Sequence, residues 1–252
     1  MPATRVIPLP LPLLGRELVN AHLLLGRRAV VVDSGIPGQA SLVVDQLQQH
    51  GVDPQDVALV VITHGHIDHF GSAAALSRLT GAPLAAHQGD LVEYRTGRTA
   101  EPMLPTGAMG RAMMRSPSMH ARIEGFVPDV VVRGRLNLAE HGVDAQVVPT
   151  PGHTAGSISV LTDAGELVAG DLVANSFMGL LPGRPANPPF HDDPVQNLQS
   201  LRSMLAMDPV RLHVGHGPPL DPARVRRWAA AEHRRLQRRA RRGRLRTRTS
   251  AG

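Results

Sequence analysis

The sequence predicts an α/β chain built as two β-sheets packed face to face with helices outside. Three observations carry that expectation. Short valine-rich runs of strand length recur along the chain, segments of helical spacing separate them, and they fall into two blocks on either side of an irregular stretch at residues 96–128. With 252 residues, 42% of them apolar and 19% charged, the chain can bury a sizeable core and does not have a disordered composition.

The elements follow in order. "RVIPLPLPLLG" is apolar, but Pro8, Pro10 and Pro12 forbid a helix, and no small-residue cleavage site of a secretory leader follows. "NAHLLLG" and "RRAVVVDSG" read as two successive strands, the second ending at Asp33-Ser34-Gly35. "ASLVVDQLQQHG" has helical spacing and stops at Gly51. Residues 57–63, "VALVVIT", form a continuous apolar run expected of a strand buried on both faces. A helix, "HFGSAAALSRLTG", and a strand at 83–87 come next. Residues 96–128 carry five of the nine methionines and four prolines without a clear period, and read as a surface insertion or a lid over a site. The second block has strands at 129–132, 144–148, 157–161 and 166–169, a helix over 193–205, the strand-like "VRLHVG" and an arginine-rich helix from Asp221. Residues 1–222 are expected to form the main domain and 223–252 a basic helix and tail.

Composition removes several chemistries. The chain has no cysteine and no lysine, so disulfides, thiolate nucleophiles or ligands, Schiff bases and a P-loop lysine are all excluded. The absence of cysteine and of a convincing apolar span predicts a cytoplasmic protein without a transmembrane segment. The net charge of +6 hides an asymmetry. Residues 224–252 hold twelve arginines and one acid, whereas the remainder holds 15 arginines against 20 acids. A solvated helix, a membrane surface or nucleic acid are the partners that such a basic end admits.

The stretch that carries chemistry is "ITHGHIDHF". His64, His66, Asp68 and His69 place four metal-ligand side chains in six positions at the end of a buried strand, where nitrogen and carboxylate donors suit a divalent ion such as zinc. Strand periodicity sends His64 and His66 to the same side. Three more ligand-type residues sit beside glycines at later loop positions: His153 in "TPGHTAGS", Asp171 in "LVAGDLV" and His216 in "LHVGHGPP".

In this ordered set, and in the "VVDSG" turn, the sequence closely resembles the metallo-β-lactamase-fold hydrolase superfamily over roughly residues 18–222. The resemblance implies a four-layer αββα sandwich with metals at one edge between the sheets. It assigns His64, His66 and His153 to a first metal, Asp68, His69 and His216 to a second, and Asp171 to both. The cofactors implied are two divalent ions, zinc first, with iron or manganese as alternatives. The reaction implied is cleavage of a thioester, lactone or related ester by a hydroxide held between the metals, with Asp68 orienting it. Glyoxalase II-like and lactonase-like members match best. The cysteine ligand of many true β-lactamases is missing, and the stretch after Asp171 lacks the glycine-cysteine pattern expected of glyoxalase II. A metal-dependent nuclease and a mononuclear iron persulfide dioxygenase are the alternative readings. Asp33 is a candidate to hold a ligating histidine from behind. His120, His191 and Phe177 are candidates for the substrate pocket. His22 and His87 read as packing residues, and His213 is expected to face away from His216.

Overall fold

The computed structural model describes residues 3–99, 103–116, 121–176 and 180–249. The first sheet begins with a hairpin, β1 (Arg5–Leu13) and β2 (Arg16–Leu25), followed by β3 (Ala29–Val32). After α1 (Ala40–Gln49) come β4 (Val57–Ile62), the short α2 (Ile67–Phe70), α3 (Ala73–Thr80), β5 (Leu84–His87) and α4 (Leu91–Thr96). The intervening stretch contributes β6 (Leu104–Pro105) and α5 (Ala108–Met113), and β7 (Val130–Val132) closes the sheet in the order β1-β2-β3-β4-β5-β7. Although β7 belongs by sequence with the second block of strands, its parallel pairing with β5 places it in the first sheet. Periodicity identifies a strand but carries no information about its partner.

The prolines of β1 have a structural reason. It is an edge strand, paired only with β2, and Pro8, Pro10 and Pro12 occupy alternate positions, so they remove N–H groups along one side only. An edge tolerates that loss and is protected by it from pairing with another chain.

The second sheet contains β8 (Leu136–Asn137), β9 (Ala145–Pro149), β10 (Ile158–Thr162), β11 (Glu166–Val168) and, further along the chain, β15 (Arg211–His213). Between β11 and β15 lie the hairpin β12 (Ala174–Ser176) and β13 (Leu181–Ala186), β14 (Phe190–His191) and α6 (Pro194–Ala206). Asp193 caps α6 by accepting from the backbone N–H groups of Val195 and Gln196. The last element is α7 (Pro222–Thr249).

Three apolar clusters define four layers. Val30, Val32, Leu59 and Val61 of the first sheet meet Val147, Ile158, Val160 and Val168 of the second between the sheets. Val31, Val60 and Ile62 face outward onto Val43 and Leu47 of α1 and Leu76 of α3. Leu167 and Leu212 face the other way onto Leu201 and Leu205 of α6 and Val225 and Ala229 of α7. This is the αββα sandwich. All six residues of β4 are buried, Val57, Val60 and Ile62 towards the helices and Leu59 and Val61 between the sheets, which explains its unbroken apolar run. Each such side chain contributes about 1.5–3 kcal/mol of burial, so an acidic residue at Val60 or Val61 would break the layer. Among the described residues, no helix is long and apolar enough to cross a membrane.

Candidate metal centre

The centre is assembled from chain turns at the ends of strands. The chain leaves β4 at Thr63 and enters α2 with His66 at its N-cap, so His64 and His66 project from the bend and Asp68 and His69 from the first turn. His153 comes from the loop between β9 and β10, Asp171 from the turn after β11, and His216 from the loop after β15. The fold brings all seven together, in three groupings whose donor atoms lie within 4.8 Å of one another: His64, His66, His153; His64, His69, Asp171; and Asp68, His69, His216.

The hydrogen bonds behind these imidazoles decide which nitrogen faces inward. Thr63 Oγ1 donates to Asp33 Oδ2 at 2.8 Å and therefore accepts from His64 Nδ1 at 2.9 Å. His153 Nδ1 donates to the Phe190 carbonyl at 3.0 Å, and His216 Nδ1 to the Leu18 carbonyl at 2.8 Å. His69 Nδ1 donates to Asp33 Oδ2 at 2.8 Å. The inner Nε2 atoms of His64 and His153 are left as lone pairs 3.1 Å apart, with His66 Nδ1 3.0 Å from His153 Nε2. Lone pairs in such proximity repel unless a positive charge lies among them. Nitrogens about 2.0–2.1 Å from a tetrahedral zinc would stand roughly 3.3 Å apart, close to the spacing seen.

Asp171 faces His153 and His216 with one carboxylate oxygen and His69 with the other. Its Oδ2 is 3.3 Å from His216 Nε2 and 3.7 Å from His153 Nε2, while its Oδ1 is 3.7 Å from His69 Nε2. Asp171 Oδ1 and His69 Nε2 are buried without a hydrogen-bond partner. Asp68 Oδ2 is 3.3 Å from His216 Nε2. Two orphaned buried polar atoms, converging lone pairs and an all-nitrogen-and-oxygen donor set fit divalent metal ions.

Electrostatics divides the site in two. Burial, with the neighbouring imidazoles, pushes His64 and His153 well below the ordinary histidine range, and burial lowers His66 too, so these three are neutral donors at pH 7. Burial also pulls His69 down, but the carboxylates of Asp33, Asp171 and Asp68 outweigh it and raise it to about 9. His216 is raised against burial by Asp171 and Asp68. Burial pushes the Asp68 and Asp171 carboxyls up, yet the facing histidines hold both below the usual carboxylate range. Without metal, protons on His69 and His216 balance the acids that metal charge would otherwise balance.

Asp33 is buried with a left-handed backbone (φ 64°), and its carboxylate accepts from Thr63 N, Thr63 Oγ1 and His69 Nδ1. It therefore reaches two of the ligand-type histidines, His64 through Thr63 and His69 directly. His191 is buried behind His153, with 3.2 Å between their Nδ1 atoms. His213 points to His22 and Glu166, with 5.8 Å between the two ring centroids and 3.7 Å from His213 Nε2 to Glu166 Oε2. His22 is fully enclosed, and neither of its ring nitrogens has a hydrogen-bond partner. His87 accepts from the Gly89 backbone at 3.1 Å. His120 and Phe177 lie outside the described residues.

Sequence reasoning missed Asp90. This buried carboxylate accepts from Gly65 N at 2.7 Å and Thr154 Oγ1 at 2.6 Å through Oδ2, and from Gly156 N at 2.6 Å through Oδ1. It clamps the backbone between His64 and His66 to the loop that carries His153. Its only local signal is an aspartate at the end of "HQGD", an ordinary start to a helix. Gly215 shows why glycine flanks His216: a Cβ there would meet Asp171 Oδ1 and the His69 ring.

Comparisons agree with this architecture. The family model of the metallo-beta-lactamase superfamily matches residues 14–216. A probable metallo-hydrolase of Bacillus subtilis (strain 168) is 27% identical over 76% of this chain and 76% of its own length. A hydroxyacylglutathione hydrolase of Anaeromyxobacter dehalogenans (strain 2CP-C) is 31% identical over 62% of this chain, which spans only 46% of that protein. Among solved structures, a metallo-beta-lactamase family protein of Thermus thermophilus superposes with a TM-score of 0.65 at 23% identity, covering 92% of this chain and 80% of the other, a likeness of fold. The strand order, the seven converging ligand-type residues and the family match together show that this chain belongs to the metallo-beta-lactamase superfamily.

Proposed function

We propose that the chain is a two-metal hydrolase of a thioester, lactone or related carboxylic ester. The observation that carries this reading is Asp171, whose carboxylate faces His153 on one side and His69 and His216 on the other, with one oxygen unpartnered. His64, His66 and His153 would hold one ion, Asp68, His69 and His216 the other, and Asp171 both. Zinc suits a donor set of imidazole and carboxylate without thiolate. Bound divalent cations supply a hydroxide nucleophile near neutral pH and polarise the attacked carbonyl.

The protein's own part is to position donors and exclude water. Thr63, Asp33 and the carbonyls of Phe190 and Leu18 lock four imidazoles in the orientation that aims Nε2 inward. Asp68 is half-buried, and His69 and His216 hold its carboxyl below the usual carboxylate range, so towards an attacking water it would act as an acceptor and not as an acid. The hydroxyacylglutathione hydrolases among the relatives support the thioester choice, although this chain spans about half of the length of the Anaeromyxobacter protein.

The test is metal analysis of the purified protein, paired with turnover of thioesters, lactones and p-nitrophenyl esters. Two equivalents per chain and chelator-sensitive turnover of one of these classes are expected. D171A should lose metal and activity together. Full activity in D171A, or one equivalent of iron with oxygen consumption on a persulfide, would overturn the proposal.

A further inference from the structure

We propose that the exposed face of α7 is a docking surface for the phosphate backbone of duplex nucleic acid. The helix carries none of the seven residues of the metal centre. One stripe of it, Val225, Ala229 and the partly buried Trp228 and Leu236, packs into the cluster outside the second sheet. Arg234, Arg238 and Arg241 follow one another at i, i+4 and i+7, with Arg235 and Arg239 beside them, and all five are exposed. Arg235 is tied to the buried Glu232, which is also hydrogen-bonded by Asn187. Among the described residues, Arg234, Arg238, Arg239 and Arg241 have no acidic partner. A shallow cleft on this face is lined by Ala231, Arg234, Arg235, Arg238 and Arg239.

The charge density fits the occupant. Residues 234–241 span about 12 Å of helix, over which a B-form duplex presents about seven phosphate charges at one per ~1.7 Å. Four unpaired guanidinium groups, each able to grip phosphate oxygens with two parallel N–H groups, meet that row. The helix backbone continues to Thr249, and its remaining sequence adds Arg242, Arg244, Arg246 and Arg248 with no acid. The attraction is local, because the rest of the chain has more acids than arginines. A membrane surface is the poorer match. An interfacial helix buries an apolar stripe in lipid, but from Gln237 to Arg241 all five side chains are exposed and Ala240 alone is apolar.

The experiment titrates the full-length protein into a fluorescein-labelled 20-bp DNA duplex of arbitrary sequence, followed by anisotropy at several KCl concentrations. The four phosphate contacts of Arg234, Arg238, Arg239 and Arg241 contribute about 3.6 to the slope of log Kd against log [KCl], so affinity falls by at least roughly 150-fold between 50 and 200 mM. The variant R234Q/R238Q/R239Q/R241Q should lose most of that slope and bind at least about 100-fold more weakly at 50 mM KCl. It should keep its helix content, its metal and its ester turnover. The control R5Q/R16Q/R27Q/R28Q removes as much charge from the body and should bind like the parent. A parental slope near one, equal weakening by both variants, or binding to phosphatidylserine vesicles with none to the duplex at the same salt would overturn the proposal.

Discussion

Asp90 offers the sharpest test of how the loops are held. Asn has the same shape but a single acceptor oxygen. If that oxygen serves Gly156 N, the amide nitrogen faces the N–H of Gly65; if it is flipped, the amide nitrogen faces Gly156 N. In either orientation, one buried backbone N–H loses a charge-assisted bond, at a cost of about 1.5–3 kcal/mol. For a chain of this size, that lowers the unfolding midpoint by about 3–12 °C. The loss falls on the backbone beside His64, His66 or His153, so affinity of the three-histidine grouping should drop roughly tenfold to a hundredfold. The assay follows thermal unfolding of D90N beside the parent, then measures metal retained after dialysis against graded chelator. With two ions bound as proposed, the one held by His64, His66 and His153 should leave at a lower chelator concentration. A midpoint within about 1 °C of the parent, with both equivalents equally retained, would refute the clamp.

Further outcomes follow from other parts of the structure. D33N should weaken metal binding about tenfold to a hundredfold, because the one acceptor oxygen that remains cannot serve both Thr63 N and His69 Nδ1; unchanged metal affinity would remove Asp33 from the support of the centre. G215A should abolish metal retention while leaving far-ultraviolet circular dichroism close to the parent, since the new methyl would enter the space between Asp171 and His69; a fully loaded G215A would contradict the packing. His22 and His213 set a pH dependence. Burial holds both below the ordinary histidine range, His213 at about 4, whereas the unfolded chain protonates near 6.5. Their contribution is therefore complete above about pH 6.5 and is lost as pH falls toward 4, because only the unfolded state takes up the protons. Stability of the parent relative to H22L, measured by urea unfolding with metal present, should decline across that window; a constant difference would sink this account.

Much of the centre was legible in the sequence because its signals are local. His64, His66, Asp68 and His69 crowd one strand end, and His153, Asp171 and His216 each lie next to glycine or one residue from it. The role of Asp90 was not legible. Its partners are 25, 64 and 66 residues away in sequence, and hydrogen bonds to backbone N–H groups leave no pattern in residue type. The same holds for His191, which reaches His153 only because β14 returns alongside that loop.

By itself, the sequence determined which chemistry was available: imidazole and carboxylate donors without thiolate or amine, strands of the right period, and a basic end set apart from an acidic body. Tertiary structure alone decided that β7 joins the first sheet and that α7 turns one stripe to the core and its arginines to solvent. It also decided which nitrogen of each histidine faces inward. Those choices depend on contacts between residues far apart in the chain, where hydrogen-bond geometry and burial select among alternatives that local pattern leaves equal.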